Sequence, residues 1–467
     1  MDAVPNPDCP GCRALSKRLE QLEAQVAALT RNRKLEEAQR SGKRQAAPFR
    51  KGPPNPNPNP NPKPKPPGRK PNDGGTHAYR TTPPSEQIDE TLEAELPNAC
   101  PHCQGGLVET TIAEQFQTEI PRKPLIRKFR VHIGHCNCCG RRVQGRHPLQ
   151  TSNALGSAAS QIGPDAQAAA TILHTQAGLS HGKVVSVFDT LFGIKFTRGA
   201  SAQINLRAAT RLEPDYQLIL DNVHRSKQIA VDETGWRIGG QSAWLHVWVG
   251  DQVTAYAIDS QRSANASERV IGLDWAGILN HDDYATYDRF EQAIHQSCVA
   301  HVLRRAQELL DVAVRGAVHF PKQVLALFRE AVHWRNERHW QALTSDQLDA
   351  ERSAFDDRLV ALLRRPRLVP SHATFVKHLW RHLEQWFSFV FDPRIEATNW
   401  LAEQAIRPAV VNRKVWGGNR TKPGAQAQGI LMSVIEICRR QTSSAINHIS
   451  HTLRSVGNRL LLKPQLS

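Results

Sequence analysis

Five short apolar runs between residues 229 and 298 confine this chain to a small set of sheets. Ile229-Ala230-Val231 reads as a buried strand after the polar Ser226-Lys227-Gln228. A turn at Arg237-Ile238-Gly239-Gly240-Gln241 leads to a second strand, Ser242 to Val249, and Val253 to Ile258 reads as a third. Residues 229–258 therefore read as a three-strand meander. Asn265, with Glu268 three residues on, reads as a capping box that opens a helix. Gly277-Ile278-Leu279-Asn280 is a fourth strand. Ala293 to Cys298 is a fifth, before a helix starting near His301.

Two of these runs deliver carboxylates. Asp232 stands at the end of the first strand and Asp282 at the end of the fourth. An Asp at a strand end can also simply cap a turn, so its companions decide. Three antiparallel strands, helix, strand, helix, strand is the order of a ribonuclease-H-like α/β core with a mixed sheet. In that order the first and fourth strands are neighbours, which brings Asp232 and Asp282 together. A third acid is expected from the helix Asn399 to Arg407, ended by Pro408, where Asn399, Glu403 and Arg407 share one face. Asp232, Asp282 and Glu403 form a hard-oxygen set suited to two Mg²⁺ or Mn²⁺ ions. Two such ions roughly 3.5–4 Å apart can activate an attacking oxygen and stabilise a leaving one in phosphoryl transfer.

Four blocks carry a family resemblance: VDETGWR at 231–237, HDDYATYDRF at 281–290, CVAHVLRR at 298–305 and TNWLAEQAIRPAVVNRK at 398–414. In combination they resemble the DDE transposases of the insertion sequence 66 family, bacterial enzymes with an N-terminal zinc-binding domain. The likeness runs through the cysteine region and the tail LMSVIEICRRQ. It implies that the catalytic triad is Asp232, Asp282 and Glu403, and that accessory proteins of the same element take part. The chain departs from the family twice. Asp282-Asp283 stands where the family has Asp-Gly, and Asn399-Trp400 where it has two Asn. Neighbouring strand residues face opposite ways, so only one of Asp282 and Asp283 can face the metals. Alignment on Tyr284 and Tyr287 favours Asp282.

The formal charge of +16 over 467 residues favours a polyanionic partner, nucleic acid before membrane. Part of that excess sits in a solvated tail. No apolar run approaches the ~20 residues of a membrane span. Met1-Asp2-Ala3-Val4-Pro5 lacks a signal-peptide pattern, and nine cysteines, several in C-x-x-C pairs, suggest metal ligation in a reducing cytoplasm.

Residues 1–39 read as a short coiled-coil helix, with Leu15, Leu19, Leu22, Val26 and Leu29 on an a/d seam. About two heptads do not sustain a coiled coil alone, so the seam implies a short oligomerising helix or a helix packed elsewhere. Cys9 and Cys12 form a lone pair with no second pair nearby. Residues 40–90 read as a Pro-rich, basic, disordered linker, through Asn-Pro repeats at 55–62.

Residues 91–150 read as a zinc-ribbon-like domain. Cys100, Cys103, Cys136 and Cys139 have the spacing of one structural Zn²⁺ site, with Cys138 spare. The long intervening segment is expected to hold extra strands, such as Ile126 to Ile133. Arg127, Lys128 and neighbouring bases favour a DNA-binding ribbon. Residues 151–225 read as a helical DNA-binding region with helices Ala166–Ala177, Ser180–Leu191 and Gly199–Ala209. Arg198 and Gln203 would face DNA if this is a helix-turn-helix. The alternative is a helical subdomain packed on the core.

Residues 226–441 read as the catalytic domain, with a helical insertion at about 301–391 and a C-terminal tail at 442–467. Pro321 can open a helix, Thr344 with Gln347 offers a capping box, and Phe375, Leu379 and Leu383 keep helical spacing. Cys298-x-x-His301 reads as a zinc pair or as helix–sheet packing. Arg407, Arg413, Lys414 and Arg420 follow the helical Glu and are expected to hold phosphates.

The whole is a multidomain α+β chain, and the expected activity is metal-dependent cleavage at element ends with 3′-hydroxyl strand transfer into target DNA. Its expected partners are double-stranded DNA, a second copy of the chain and the accessory proteins. Two rivals are a transposase-derived DNA-binding protein without catalysis and a metal-dependent nuclease that never joins strands.

Overall fold

The computed structural model describes residues 83–93, 95–99, 101–117, 123–155, 161–337, 339–365 and 369–454. The expected coiled coil, Cys9, Cys12, most of the linker and Cys100 lie outside them. The chain divides into two compact units, Met1–Ile120 and Pro121–Ser467. The boundary falls inside the stretch 91–150 expected to be one zinc-ribbon domain. In the first unit the described residues hold a 3-10 turn at Ser85–Gln87 and a turn at 101–103.

The second unit begins with a small antiparallel hairpin, β1 (Ile133–His135) and β2 (Arg142–Gln144), in register Gly134↔Val143. The strand expected over Ile126 to Ile133 is not formed; only Ile133 belongs to one. Branched side chains favour strands where they pack against neighbours, and Ile126 is 88% exposed.

Three helices follow: α1 (Pro164–Thr175), α2 (His181–Phe192) and α3 (Arg198–His224). Pro164 opens α1, where a missing N–H costs nothing. The Ser180 hydroxyl caps α2, and Gly193, at φ 65°, ends it in the left-handed conformation. The Thr197 hydroxyl caps α3. That helix was expected to stop near Ala209; instead it continues through Pro214 to His224. Ile204, Ala208, Leu212, Ile219 and Val223 make one buried stripe along it, while Pro214 sits exposed. Continuous packing outweighs the single hydrogen bond that proline removes.

The main sheet contains β3 (Gln228–Ile238), β4 (Gln241–Val249), β5 (Thr254–Asp259), β6 (Ile278–His281) and β7 (Ile294–Ser297), in the order β5-β4-β3-β6-β7. The first three are antiparallel; β6 runs parallel to β3, and β7 to β6. Gly239 and Gly240, both at positive φ, make the two-residue turn between β3 and β4. Helix α4 (Asn265–Ile271) links β5 to β6. The capping box expected at Asn265 is absent: Ala264 is the N-cap, and Glu268 pairs with Arg289 at 2.6 Å.

Both faces of β3 are covered. Ile229 and Val231 join a core with Leu212, Ile219 and Leu279. Ala230 and Trp236 face the other way, against Ala402, Ile406 and Ala409. This alternation is the period-two pattern of a strand buried on both sides.

After β7 come α5 (Val299–Val312), α6 (His319–Asn336), α7 (Ser345–Leu363), α8 (Pro370–Arg381) and the single turn α9 (Ser388–Phe391). They form the helical insertion, with their own core around Phe328, Leu359, Phe375 and Trp386. The Thr344–Gln347 capping box closes the start of α7 from both sides.

Helix α10 (Trp400–Trp416) then returns to the sheet, followed by α11 (Lys422–Arg440) and α12 (Ala445–Arg454). Pro408 does not end α10 as expected. It is exposed, the stripe Ala402, Ile406, Ala409 stays buried across it, and the helix stops at Gly417, φ 85°. Helix α11 lies close on β5: a Cβ at Gly429 would meet the Tyr256 carbonyl at 2.8 Å. Part of the expected tail is the ordered helix α12, whose Ile449 is buried. No described helix is long and apolar enough to cross a membrane.

Candidate active site

Asp232 lies inside β3, not at its end, because β3 runs on to the Gly239-Gly240 turn. On the β4 side it pairs with Val247. On the β6 side pairing stops at Ala230↔Asn280. Asp232 and Asp282 each lie two residues beyond that pair, so both project to the face of the sheet that Ala230 presents to α10. Glu403 enters from the first turn of α10, on the same side.

Asp282 and Glu403 both act on Asp232. Burial, then the charges of Asp282, Glu233 and Glu403, push Asp232 up to about 7; the Glu233 N–H, 2.8 Å from Oδ1, opposes this. Burial and the charge of Glu233 push Asp282 up to about 6, against His301 and Arg262. One Asp282 oxygen is buried with no hydrogen-bond partner. Burial in a low dielectric with a like charge nearby raises a carboxyl in this way. The donor set and the orphaned oxygen fit hard divalent cations.

Asp283 diverges from its neighbour. It adopts φ 66°, its N–H donates to His281 Nδ1 at 3.2 Å, and its carboxylate lies 3.5 Å from His378 on α8. The left-handed conformation is one that glycine adopts freely, and Asp is among the few other residues that tolerate it.

Glu233 was not singled out in the sequence, yet it supports the site from the opposite face of β3. Its side chain is 1% exposed and accepts from Arg262 at 2.7 Å and from the Tyr287 hydroxyl at 2.7 Å. The Arg262 guanidinium stacks between Tyr284 at 4.0 Å and Trp244 at 4.8 Å. Strand alternation held the signal: a carboxylate one residue from Asp232 must face the core and needs a buried partner.

Asn399, buried before α10, joins two other elements. Its side-chain amide donates to the Val231 carbonyl at 2.7 Å, and its N–H donates to Cys298 Sγ at 3.2 Å. Trp400, the next residue, is 42% exposed.

The basic candidates separate by exposure. Arg407 is exposed one turn beyond Glu403, and Lys414 and Arg420 are exposed farther on. Arg413 and Lys414 belong to the last turn of α10, not to a segment after it. The Arg413 guanidinium is engaged with Thr234 Oγ1 at 3.0 Å and with the Gly235 carbonyl. Arg198 is exposed at the start of α3 and lies along Gly182 of α2; Gln203, Arg127 and Lys128 are also exposed.

The cysteines fall in two groups. Cys103 is exposed in the first unit. In the second, Cys136, Cys138 and Cys139 turn between β1 and β2, with Gly140 at φ 68°. The Cys136 thiol is pulled below its usual range, first by the Cys139 N–H, then by the Cys138 N–H and the Cys139 side chain. Amide groups converging on one sulfur favour its thiolate form.

Residues 159–427, more than half of the chain, match the family described as "Transposase IS66 family". The chain belongs to that family. The match spans α1–α3, the main sheet, the helical insertion and α10, and so includes Asp232, Asp282 and Glu403. The cysteine turn precedes the residues matched to the IS66 family. The chain is also similar to the uncharacterized protein y4hP of Sinorhizobium fredii (strain NBRC 101917 / NGR234). The two are 23% identical over 396 residues, covering 76% of this chain and 70% of that protein.

Proposed function

We propose that the chain is a DNA transposase that cuts a strand at the end of its element and joins the freed end to target DNA. The observation that carries this reading is the elevation of Asp232 to about 7, by burial first and then by the charge of Asp282, with Glu403 adding to it. The strand order, with β3 and β6 adjacent and parallel, supports a ribonuclease-H-like catalytic core. Asp232, Asp282 and Glu403 would hold two Mg²⁺ or Mn²⁺ ions, which supply activation of an attacking oxygen and stabilisation of a leaving one.

No side chain acts as nucleophile. Water attacks a phosphodiester at the element end, and the 3′-oxygen leaves and takes a proton. The resulting 3′-hydroxyl then attacks a phosphodiester of the target and gives up its proton to solvent, while the target strand's own 3′-oxygen leaves and takes a proton. Arg407, exposed one helical turn beyond Glu403, is suited to hold the reacting phosphate in line. Lys414, Arg198, Arg127 and Lys128 are suited to the DNA backbone. The paired C-x-x-C spacing of Cys100, Cys103, Cys136 and Cys139 supports one structural zinc site. A second copy of the chain and accessory proteins complete the reaction, in the bacterial cytoplasm.

The test is incubation of the purified chain with Mn²⁺ and a duplex carrying the element end, with strands separated on a denaturing gel. The wild type is expected to cut and to join; Asp232→Asn is expected to do neither. Cutting without joining would make it a nuclease. Specific binding without cutting would make it a DNA-binding descendant.

A further inference from the structure

Cys298, His301 and Glu403 present ligand atoms that all lie within 4.8 Å of one another. Cys298 is buried at the junction of β7 and α5, His301 lies one turn into α5, and Glu403 comes from α10. The arrangement is held from several sides. The Asn399 N–H donates to Cys298 Sγ at 3.2 Å. His301 Nδ1 is buried with no hydrogen-bond partner, and so is Oδ1 of Asn399, a residue 1% exposed. Buried polar atoms normally have partners, so an orphaned ring nitrogen beside a thiol and a carboxylate asks for a ligand.

This donor set differs from the acidic one. Sulfur and imidazole suit Zn²⁺ and its neighbours among transition metals, whereas carboxylate oxygens alone suit Mg²⁺. We propose that Cys298, His301 and Glu403 bind one thiophilic divalent cation of the Zn²⁺ class, and that its binding withdraws Glu403 from Asp232 and Asp282. Three protein ligands leave a fourth position for water, and the thiol proton passes to solvent on binding. Only the second half, the withdrawal, rests on the reading of the three acids as a catalytic centre. Zinc would then hold the transposase idle until Mg²⁺ or Mn²⁺ recovers the shared carboxylate.

The test uses the full chain, reduced, loaded with Zn²⁺ and freed of excess. Elemental analysis should find about one zinc fewer in Cys298→Ser and in His301→Ala than in the wild type. Loading with Co²⁺ should show weaker thiolate-to-cobalt absorption in Cys298→Ser. The same decrement should persist in a Cys103→Ser background, which separates this site from the other cysteines. His301 is only partly buried, so His301→Ala carries the result if Cys298→Ser melts early. Equal zinc content in the wild type and folded His301→Ala would overturn the site. In the cleavage assay, Zn²⁺ should raise the Mn²⁺ needed for half-maximal cutting about tenfold or more in the wild type, and less in His301→Ala. An unchanged Mn²⁺ requirement would overturn the withdrawal. A chain that binds zinc here and never cuts DNA would instead overturn the transposase reading and leave the zinc site in place.

Discussion

The side-chain amide of Asn399 donates to the carbonyl of Val231, the residue before Asp232, at 2.7 Å. One hydrogen bond thus fixes the start of the helix that carries Glu403 to the strand that carries Asp232. Asn399→Ala leaves that buried carbonyl without its donor, at a cost of about 1–3 kcal/mol. Urea unfolding should show the loss, and metal titration should show several-fold weaker Mn²⁺ binding. An unchanged midpoint would mean that the bond contributes nothing.

Neutralising one acid at a time separates the two neighbours after β6. Asp232→Asn, Asp282→Asn and Glu403→Gln should each abolish cleavage while duplex binding, measured by gel shift, persists. Asp283→Asn should retain most activity, because its carboxylate faces His378. Asp283→Gly removes left-handed strain of about 1 kcal/mol and should be neutral or stabilising in a thermal melt. An inactive Asp283→Asn beside an active Asp282→Asn would reverse the assignment.

The metal-free protein should lose stability as pH rises. Asp232 has a folded value of about 7, above its ordinary 3.8, so folding disfavours its ionised form. Its contribution is fully present below about pH 4 and is lost as pH climbs toward 7; Asp282 adds the same sign up to about 6. Wild type and Asp232→Asn should therefore converge near pH 4. At pH 8 the variant should be more stable by on the order of 2–4 kcal/mol. Mn²⁺ should cancel the difference by binding the folded wild type alone. Parallel stability curves for the two proteins would contradict this account.

Arg262→Ala should damage the site without touching Asp232, Asp282 or Glu403. Removing it leaves buried Glu233 with the Tyr287 hydroxyl alone, which should cost about 3 kcal/mol. Arg262→Lys keeps charge but cannot make the same stacked, forked contact, so it should recover less than half of that loss. Chemical denaturation of the three proteins measures both effects.

The basic residues of α10 should divide by role. Lys414→Ala should weaken binding to all duplexes alike and lower the salt slope by about one. Arg407→Ala should reduce cleavage more than affinity. Arg413→Ala should chiefly lower the melting temperature, because its guanidinium ties α10 to Thr234 and Gly235. Binding isotherms from low to moderate salt, with a melt of each variant, distinguish the three.

The sheet was legible because alternation and glycine turns are local. The meander follows from short local runs, whereas the adjacency that unites Asp232 with Asp282 was expected from the order of strands and helices and is seen in the pairing of β3 with β6. Helix ends were less so. Pro214 and Pro408 stop a helix by local rules, but the stripes of α3 and α10 stay buried across both, and only tertiary contact reveals that. Asp232 was expected at the end of a strand, yet β3 continues past it, with Gly235 paired with Trp244. Glu233 was not legible because its partners, Arg262 and Tyr287, lie 29 and 54 residues away along the chain. The proximity of Cys298 and His301 to Glu403 likewise spans a whole subdomain.

Helix α10 is fastened to β3 at two points, through Asn399 to Val231 at its start and through Arg413 to Thr234 near its end. Neither fastener uses a residue of the helices between β7 and Asn399. Those helices are tied to the sheet separately, through Gln296 of β7 to Trp386 and Phe389. Glu403 is thus held over Asp232 by two bonds to one strand, whatever side chains the insertion presents to solvent.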